Sequence, residues 1–258
     1  MAISHRAQYV RFKIGDEVSS GRLEGDVVKV LDGDLFREAR ETGRSVPLDE
    51  VTLLPPCEPS KVIAVGLNYR SHLRGRPVPE YPGLFAKFPS TLIGSGDAIA
   101  IPPDATEVHY EGELVVVIGR ETRNVSVDEA HDHVFGVTAG NDVSERTWQR
   151  NDLQWVRAKG SDTFGPVGPA IATGLDYGDL LVETRLNGEL RQSARTRDLI
   201  FGVDVLVSFI SRYLTLRPGD LIFTGTPGIT AAMNPGDEVE VEVEGVGVLR
   251  NSIVTAER

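Results

Sequence analysis

The residues most able to do chemistry are Glu111 and Glu113, in the segment HYEGELVVVIG. Two residues apart on a strand, their side chains project from the same face. The apolar run after them, VVVIG, reads as a strand entering a core, which carries the carboxylates inward with it. Two partly dehydrated carboxylates repel, and one takes up a proton unless a cation neutralises both. A divalent ion meets that need. A third carboxylate, Asp142 in GNDVSERTWQ, follows the next apolar segment, VFGVTAGN. Three carboxylates, with no Cys cluster and no His-x-x-x-His helix, make an oxygen-only donor set that favours Mg²⁺ or Mn²⁺ over zinc. Spacing alone does not bring Asp142 to the glutamates. His109, His131 and His133 read as surface or helix polarity, because hard ions seldom need imidazole.

These side chains need a scaffold, and the pattern of the chain is mainly β with few helices. Residues 1–57 alternate short apolar stretches with Gly and Asp turns, as expected of a small antiparallel sheet. In LLPPCEPS, Pro55, Pro56 and Pro59 lack the N–H that a strand ladder needs and mark a linker. Residues 58–258 then form one large domain with strands in KVIAVG, GELVVVIG, GDLIFTG and DEVEVEVEGVGVL. Two helices are predicted. Ser126 and Glu129 have capping-box spacing before EAHDHVF, and Leu199, Val203, Leu206 and Ile210 follow helical spacing up to a stop at Pro218 and Gly219. The two Pro-Gly-Asp triplets, ending at Asp220 and Asp237, read as turns.

Composition removes several classes of function. A net charge of -11 without a long basic block argues against nucleic-acid binding. No apolar run reaches the roughly 18 residues of a membrane span, and the start MAISHRAQYVRFK has no secretory apolar segment. A soluble, cytoplasmic protein is the expectation. The single cysteine, Cys57, cannot form an internal disulfide and reads as a linker thiol. There is no Gly-x-Ser-x-Gly elbow, P-loop or Gly-x-Gly-x-x-Gly, so neither a serine hydrolase of that type nor a nucleotide cofactor is implied.

The ordered motifs NYRSH, FAKFPS, YEGELVVVIG, NDVSERTWQ, KGSDTFGPVGP, RLNGELRQ, FTGTP and GVGVLRN resemble those of the fumarylacetoacetate hydrolase family, over about residues 60–251. The resemblance implies a mixed β-sandwich or roll, a homodimer, and Mg²⁺ or Mn²⁺ on Glu111, Glu113 and Asp142. Members act on 1,3-dicarbonyl or 2-oxo acids that chelate the ion, which serves as a Lewis acid. Lys159 is similar to the family's active-site lysine. Gly225 and Thr226 match its substrate loop, where backbone N–H groups meet an anion. Arg146 and Gln149, four and seven residues after Asp142, are expected to share a helical turn with it and to contact the substrate's carboxylate and carbonyl. His72 is the candidate general base. Relatives often carry a glutamate three residues after this histidine, on a lid helix; here that position is Gly75, and Glu80 is the nearest substitute. Hydrolytic C–C cleavage of an acylpyruvate is the leading expectation. Tautomerisation, isomerisation or decarboxylation of a 2-oxo acid is the alternative, ahead of a catalytically silent keto-acid binder.

Overall fold

The computed structural model describes residues 6–257. Its centre is the strand Gly112–Ile118, every residue of which is buried. Strand alternation sends Leu114, Val116 and Ile118 into one apolar cluster with Val182, Val241 and Leu249. It sends Val115 and Val117 into another, with Ala64, Ile171 and Phe223. A strand covered on both faces has no polar side to show, hence the unbroken run LVVVI. Truncating Leu114 to Ala in such a core costs about 2–5 kcal/mol.

The long sheet runs, in spatial order, Arg40–Pro47, Val27–Asp32, Glu17–Glu24, Ala7–Ile14, Gly165–Thr173, Val134–Asn141, Gly112–Ile118, Leu221–Phe223, Val62–Gly66 and Gly83–Lys87. Neighbours in this order are antiparallel except Leu221–Phe223 with Val62–Gly66, and off this order Leu92–Ile93 adds to Gly165–Thr173 in parallel. The N-terminal antiparallel strands are present as the turn pattern predicts. They join the main sheet directly, with Ala7 opposite Thr173 and Tyr9 opposite Ile171. A second sheet orders Glu189–Arg195, Leu181–Leu186, Glu238–Val243, Gly247–Thr255 and Ala98–Ile101. Its Val182, Val241, Val243 and Leu249 pack against Leu114 and Val116, giving a mixed β-sandwich.

Among the described residues there are four short α-helices, and none is long and apolar enough to cross a membrane. Helix α1 (Val127–Ala130) opens with the predicted capping box: Ser126 Oγ accepts from Glu129 N–H, and the Glu129 carboxylate accepts from Ser126 N–H at 3.0 Å. Helices α2 (Arg146–Asn151) and α3 (Val156–Gly160) follow. Helix α4 (Val203–Tyr213) buries Val203, Leu206 and Ile210 on one face, but Leu199 is not part of it. Gly202 is the extended N-cap, and Leu199 lies upstream in a non-helical stretch bridged to Tyr69. The helix also stops before Pro218, because Leu214 is already extended. Pro218 and Gly219 belong to the turn before Leu221–Phe223, where the buried Asp220 accepts hydrogen bonds from Ser60 and from Lys61 Nζ at 2.6 Å.

Candidate active site

Pairing of Gly112–Ile118 with Val134–Asn141 sets Gly112 opposite Asn141. The chain leaving Asn141 therefore lies beside Glu111. Asp142 N–H donates to the Glu111 carbonyl at 2.9 Å, and Glu111 N–H donates to Asn141 Oδ1 at 2.8 Å. One carboxylate oxygen each from Glu111, Glu113 and Asp142 lies within 4.8 Å of the others, and all three residues are buried. Asp142 reaches the site from this hairpin, not from a helical turn shared with Arg146; α2 begins only at Arg146.

Cations surround the triad. Lys159 Nζ bridges Glu111 Oε2 at 2.7 Å and Asp142 Oδ2 at 2.6 Å. Lys87, which the sequence reading did not single out, donates from Nζ to Asp142 Oδ1 at 2.7 Å and to the Lys159 carbonyl. Arg146 donates to Glu111 Oε1 at 2.5 Å and to Gln149 Oε1 at 2.8 Å. Burial disfavours the charged form of Glu111, but Lys159 and Arg146 outweigh it and hold the carboxyl well below its ordinary range. Glu113 is the opposite case. Burial, and then the charges of Asp142 and Glu111, push its carboxyl well above the ordinary value. Burial draws the Lys87 ammonium down despite Asp142, whereas Asp142 and Glu111 overcome burial at Lys159 and raise it.

Glu113 is held from behind by Gly225, whose N–H donates to Oε2 at 2.7 Å. Gly225 thus does not turn this N–H toward a substrate anion; Glu113 already occupies it. The position requires glycine on two counts. Its φ is +107°, and a Cβ there would stand 2.8 Å from Asn68 Cβ. Asn68, itself buried, donates to the carbonyls of Thr224 and Phe201 and so fixes the loop.

The triad opens into a cavity of about 440 Å³, whose wall also includes His72, Arg146, Gln149, Lys159 and Thr226. The cavity therefore collects most of the predicted side chains. His72 stands on the one-turn segment Arg70–His72 with Nδ1 2.7 Å from the Gly228 carbonyl. A carbonyl only accepts, so Nδ1 carries the proton and Nε2 keeps a lone pair. Burial lowers the His72 pKa, favouring the neutral ring. Glu80 is exposed and is not on the cavity wall. His109, expected to be surface polarity, is instead a wall residue with Nδ1 2.9 Å from Thr230 Oγ1. It follows Val108 in the two-residue strand ahead of the glutamates, too short a stretch for its inward face to be read from a pattern. Phe85 and Trp155 meet edge to face, with ring centroids 5.3 Å apart, and supply apolar wall.

The donor set fits a hard divalent cation. Three buried acidic oxygens converge without a thiolate or imidazole among them, and the one least compensated by protein cations, Glu113, gains most from added positive charge.

With a β-sandwich carrying this acidic triad, the chain belongs to the fumarylacetoacetate hydrolase family: residues 61–254 match the model described as fumarylacetoacetate (FAA) hydrolase C-terminal. Residues 8–56 match a second model, Rv2993c-like, N-terminal. Among its relatives is the Bos taurus protein named oxaloacetate tautomerase FAHD2B, mitochondrial, 43% identical over 81% of this chain and 71% of that protein. A crystal structure of 5-carboxymethyl-2-hydroxymuconate delta-isomerase from Mycobacterium smegmatis is 44% identical, with a TM-score of 0.92 over 96% of this chain and all of the other. Maleylpyruvate hydrolase from Sphingobium sp. SYK-6, solved with manganese(II) and pyruvate, is 29% identical, with a TM-score of 0.82 over 97% of this chain and all of the other.

Proposed function

We propose that this chain is a divalent-metal-dependent tautomerase or isomerase of a 2-oxo acid, moving a proton between carbon and oxygen or along a conjugated enol without consuming water. Glu111, Glu113 and Asp142 would hold Mg²⁺ or Mn²⁺, which when bound supplies Lewis acidity toward the 2-oxo oxygen. Arg146, kept in place by Glu111 and Gln149, orients the substrate carboxylate. Lys159 offers an ammonium to negative charge that develops on oxygen. His72 takes a proton from the carbon next to the carbonyl at Nε2 and returns it at the alternative position, while its Nδ1–H stays anchored on Gly228.

The observation carrying this choice is the partner of His72. Its ring is held by a backbone carbonyl, and no carboxylate hydrogen-bonds it among the described residues. Gly75 has no side chain to contribute, and Glu80 is outside the cavity wall. Water activation gains from a carboxylate that orients the imidazole and stabilises its charged form. A proton shift needs one base that takes a proton and gives one back, with no water consumed. The names of the Bos taurus and Mycobacterium smegmatis relatives support the same direction.

Hydrolytic C–C cleavage of an acylpyruvate is the second reading, favoured by the name of the Sphingobium relative. Proton NMR distinguishes the two. EDTA-stripped protein, with and without Mg²⁺, is mixed with oxaloacetate or acetylpyruvate in D₂O and compared with metal-only controls. Metal-dependent exchange of the C3 protons with carbon skeletons intact is the expected result. Release of pyruvate with acetate from acetylpyruvate would replace the proposal with hydrolysis.

A further inference from the structure

Of the side chains with permanent positive charge on the cavity wall, Lys159, Arg146 and Arg150 each meet a carboxylate: Lys159 and Arg146 on Glu111, Arg150 on Glu107 at 2.7 Å. Arg74 and Arg76 are on the same wall and are exposed, and neither meets a carboxylate among the described residues. They stand on a turn closed by Arg76 N–H donating to the Leu73 carbonyl at 3.0 Å. Arg74 itself has φ +50° and Gly75 φ +83°. Left-handed backbone is uncommon at a non-glycine residue, and it is retained here in the segment directly after His72. On a chain of net charge -11, two unpaired guanidiniums beside one cavity form a local site for an anion.

We infer that Arg74 and Arg76 bind the distal carboxylate of a dicarboxylic 2-oxo acid and thereby set the enzyme's preference for diacids over monoacids. The inference rests on the proposed binding of a 2-oxo acid by its near end at the acidic triad. Guanidinium groups suit the far end, because their planar N–H pairs match a carboxylate fork. Arg146 and Lys159 already serve the near end, which leaves this pair for the other charge. Both arginines are specificity-determining and neither takes part in the proton transfer.

Binding is tested apart from turnover by calorimetric titration of the Mg²⁺-loaded protein with 2-oxoglutarate and with 2-oxovalerate. These have the same chain length and differ in a terminal carboxylate against a methyl group. Wild type is expected to bind the diacid at least about tenfold more tightly. In R74Q/R76Q the ratio should fall to near one, with 2-oxovalerate affinity and the melting temperature unchanged. Equal affinities in wild type, a preference that survives the double substitution, or no binding of either acid would each overturn the inference. On the same variant, KM for enol-oxaloacetate should rise about tenfold or more with kcat nearly constant. An arginine-dependent diacid preference without tautomerisation would leave this inference standing and remove the proton-shift reading. Tautomerisation with a KM indifferent to the substitutions would do the reverse.

Discussion

Lys87 Nζ lies 2.7 Å from Asp142 Oδ1, while Lys159 Nζ lies 2.6 Å from the other oxygen, Oδ2. Asp142 therefore has an ammonium on each side, Glu111 shares Lys159 with it, and Glu113 has none within bonding distance among the described residues. The negative charge of the triad is compensated unequally. Its behaviour toward protons and metal ions follows from that inequality.

Metal binding should release a proton from Glu113. Its carboxyl sits well above the ordinary 4.5 because of burial and the nearby Asp142 and Glu111 charges. In metal-free protein its contribution to stability is full below 4.5 and is lost as pH rises through the raised value. An ion that takes the proton's place thus binds more tightly as pH rises through the same range. Titration calorimetry in buffers of different ionisation heat measures the released proton. Glu113→Gln should abolish that release and weaken metal binding by about 100-fold or more, since a ligand and a charge are lost together. Unchanged affinity would remove Glu113 from the ligand set.

For His72 the active form is the neutral ring, and burial lowers its pKa from the ordinary 6.5. The acidic limb of the kcat/KM profile should accordingly fall below pH 6.5, with activity lost only as pH drops through the lowered value. His72→Gln should reduce kcat by about 10²–10⁴-fold and remove that limb. Metal affinity should be unaffected, which separates the base from the ion site.

Asp220 is a test of the scaffold. Its fully buried carboxylate accepts from the N–H groups of Ser60, Lys61 and Arg217, from Ser60 Oγ and from Lys61 Nζ. Asp220→Ala leaves those donors without their acceptor and should cost about 3 kcal/mol. In a chain of this size that corresponds to a fall in Tm of roughly 6–12 °C, measurable by scanning calorimetry.

Cys57 should resist thiol reagents in the folded protein. It is 5% exposed, and burial pushes its pKa up to about 12. Reaction with an aromatic disulfide at pH 8 should be at least about 1,000-fold slower than in denaturant, given the small thiolate fraction. Reaction at the denatured rate would mean that the linker opens readily.

The glutamates were legible because a period of two and an apolar run are local properties of one strand. The α1 capping box was legible for the same reason, being contained within Ser126–Glu129. Asp142 was recognisable as a carboxylate beside an apolar segment, but its position depends on the register that pairs Gly112 with Asn141. No local pattern states a register across that separation. Lys87 was hidden in FAKF at the end of a strand whose neighbour is Val62–Gly66. A lysine closing an apolar strand was the available signal, and its meaning came only from Asp142, 55 residues away. Leu199 shows the converse error: its spacing suits a helix, but Gly202 opens that helix three residues later.

The short ladder from Ala7–Tyr9 to Ile171–Thr173 joins the N-terminal strands to the segment that follows the linker in one hydrogen-bonded surface. Phe135 adds to the tie, with its ring 5.7 Å from Tyr9 and 5.0 Å from Phe36. A fragment begun after the prolines would therefore carry a raw β-edge, with unpaired N–H and C=O groups beside uncovered aromatic surface. Such an edge is a template for intermolecular strand addition, so a shortened chain is prone to form aggregates even with every cavity residue still present.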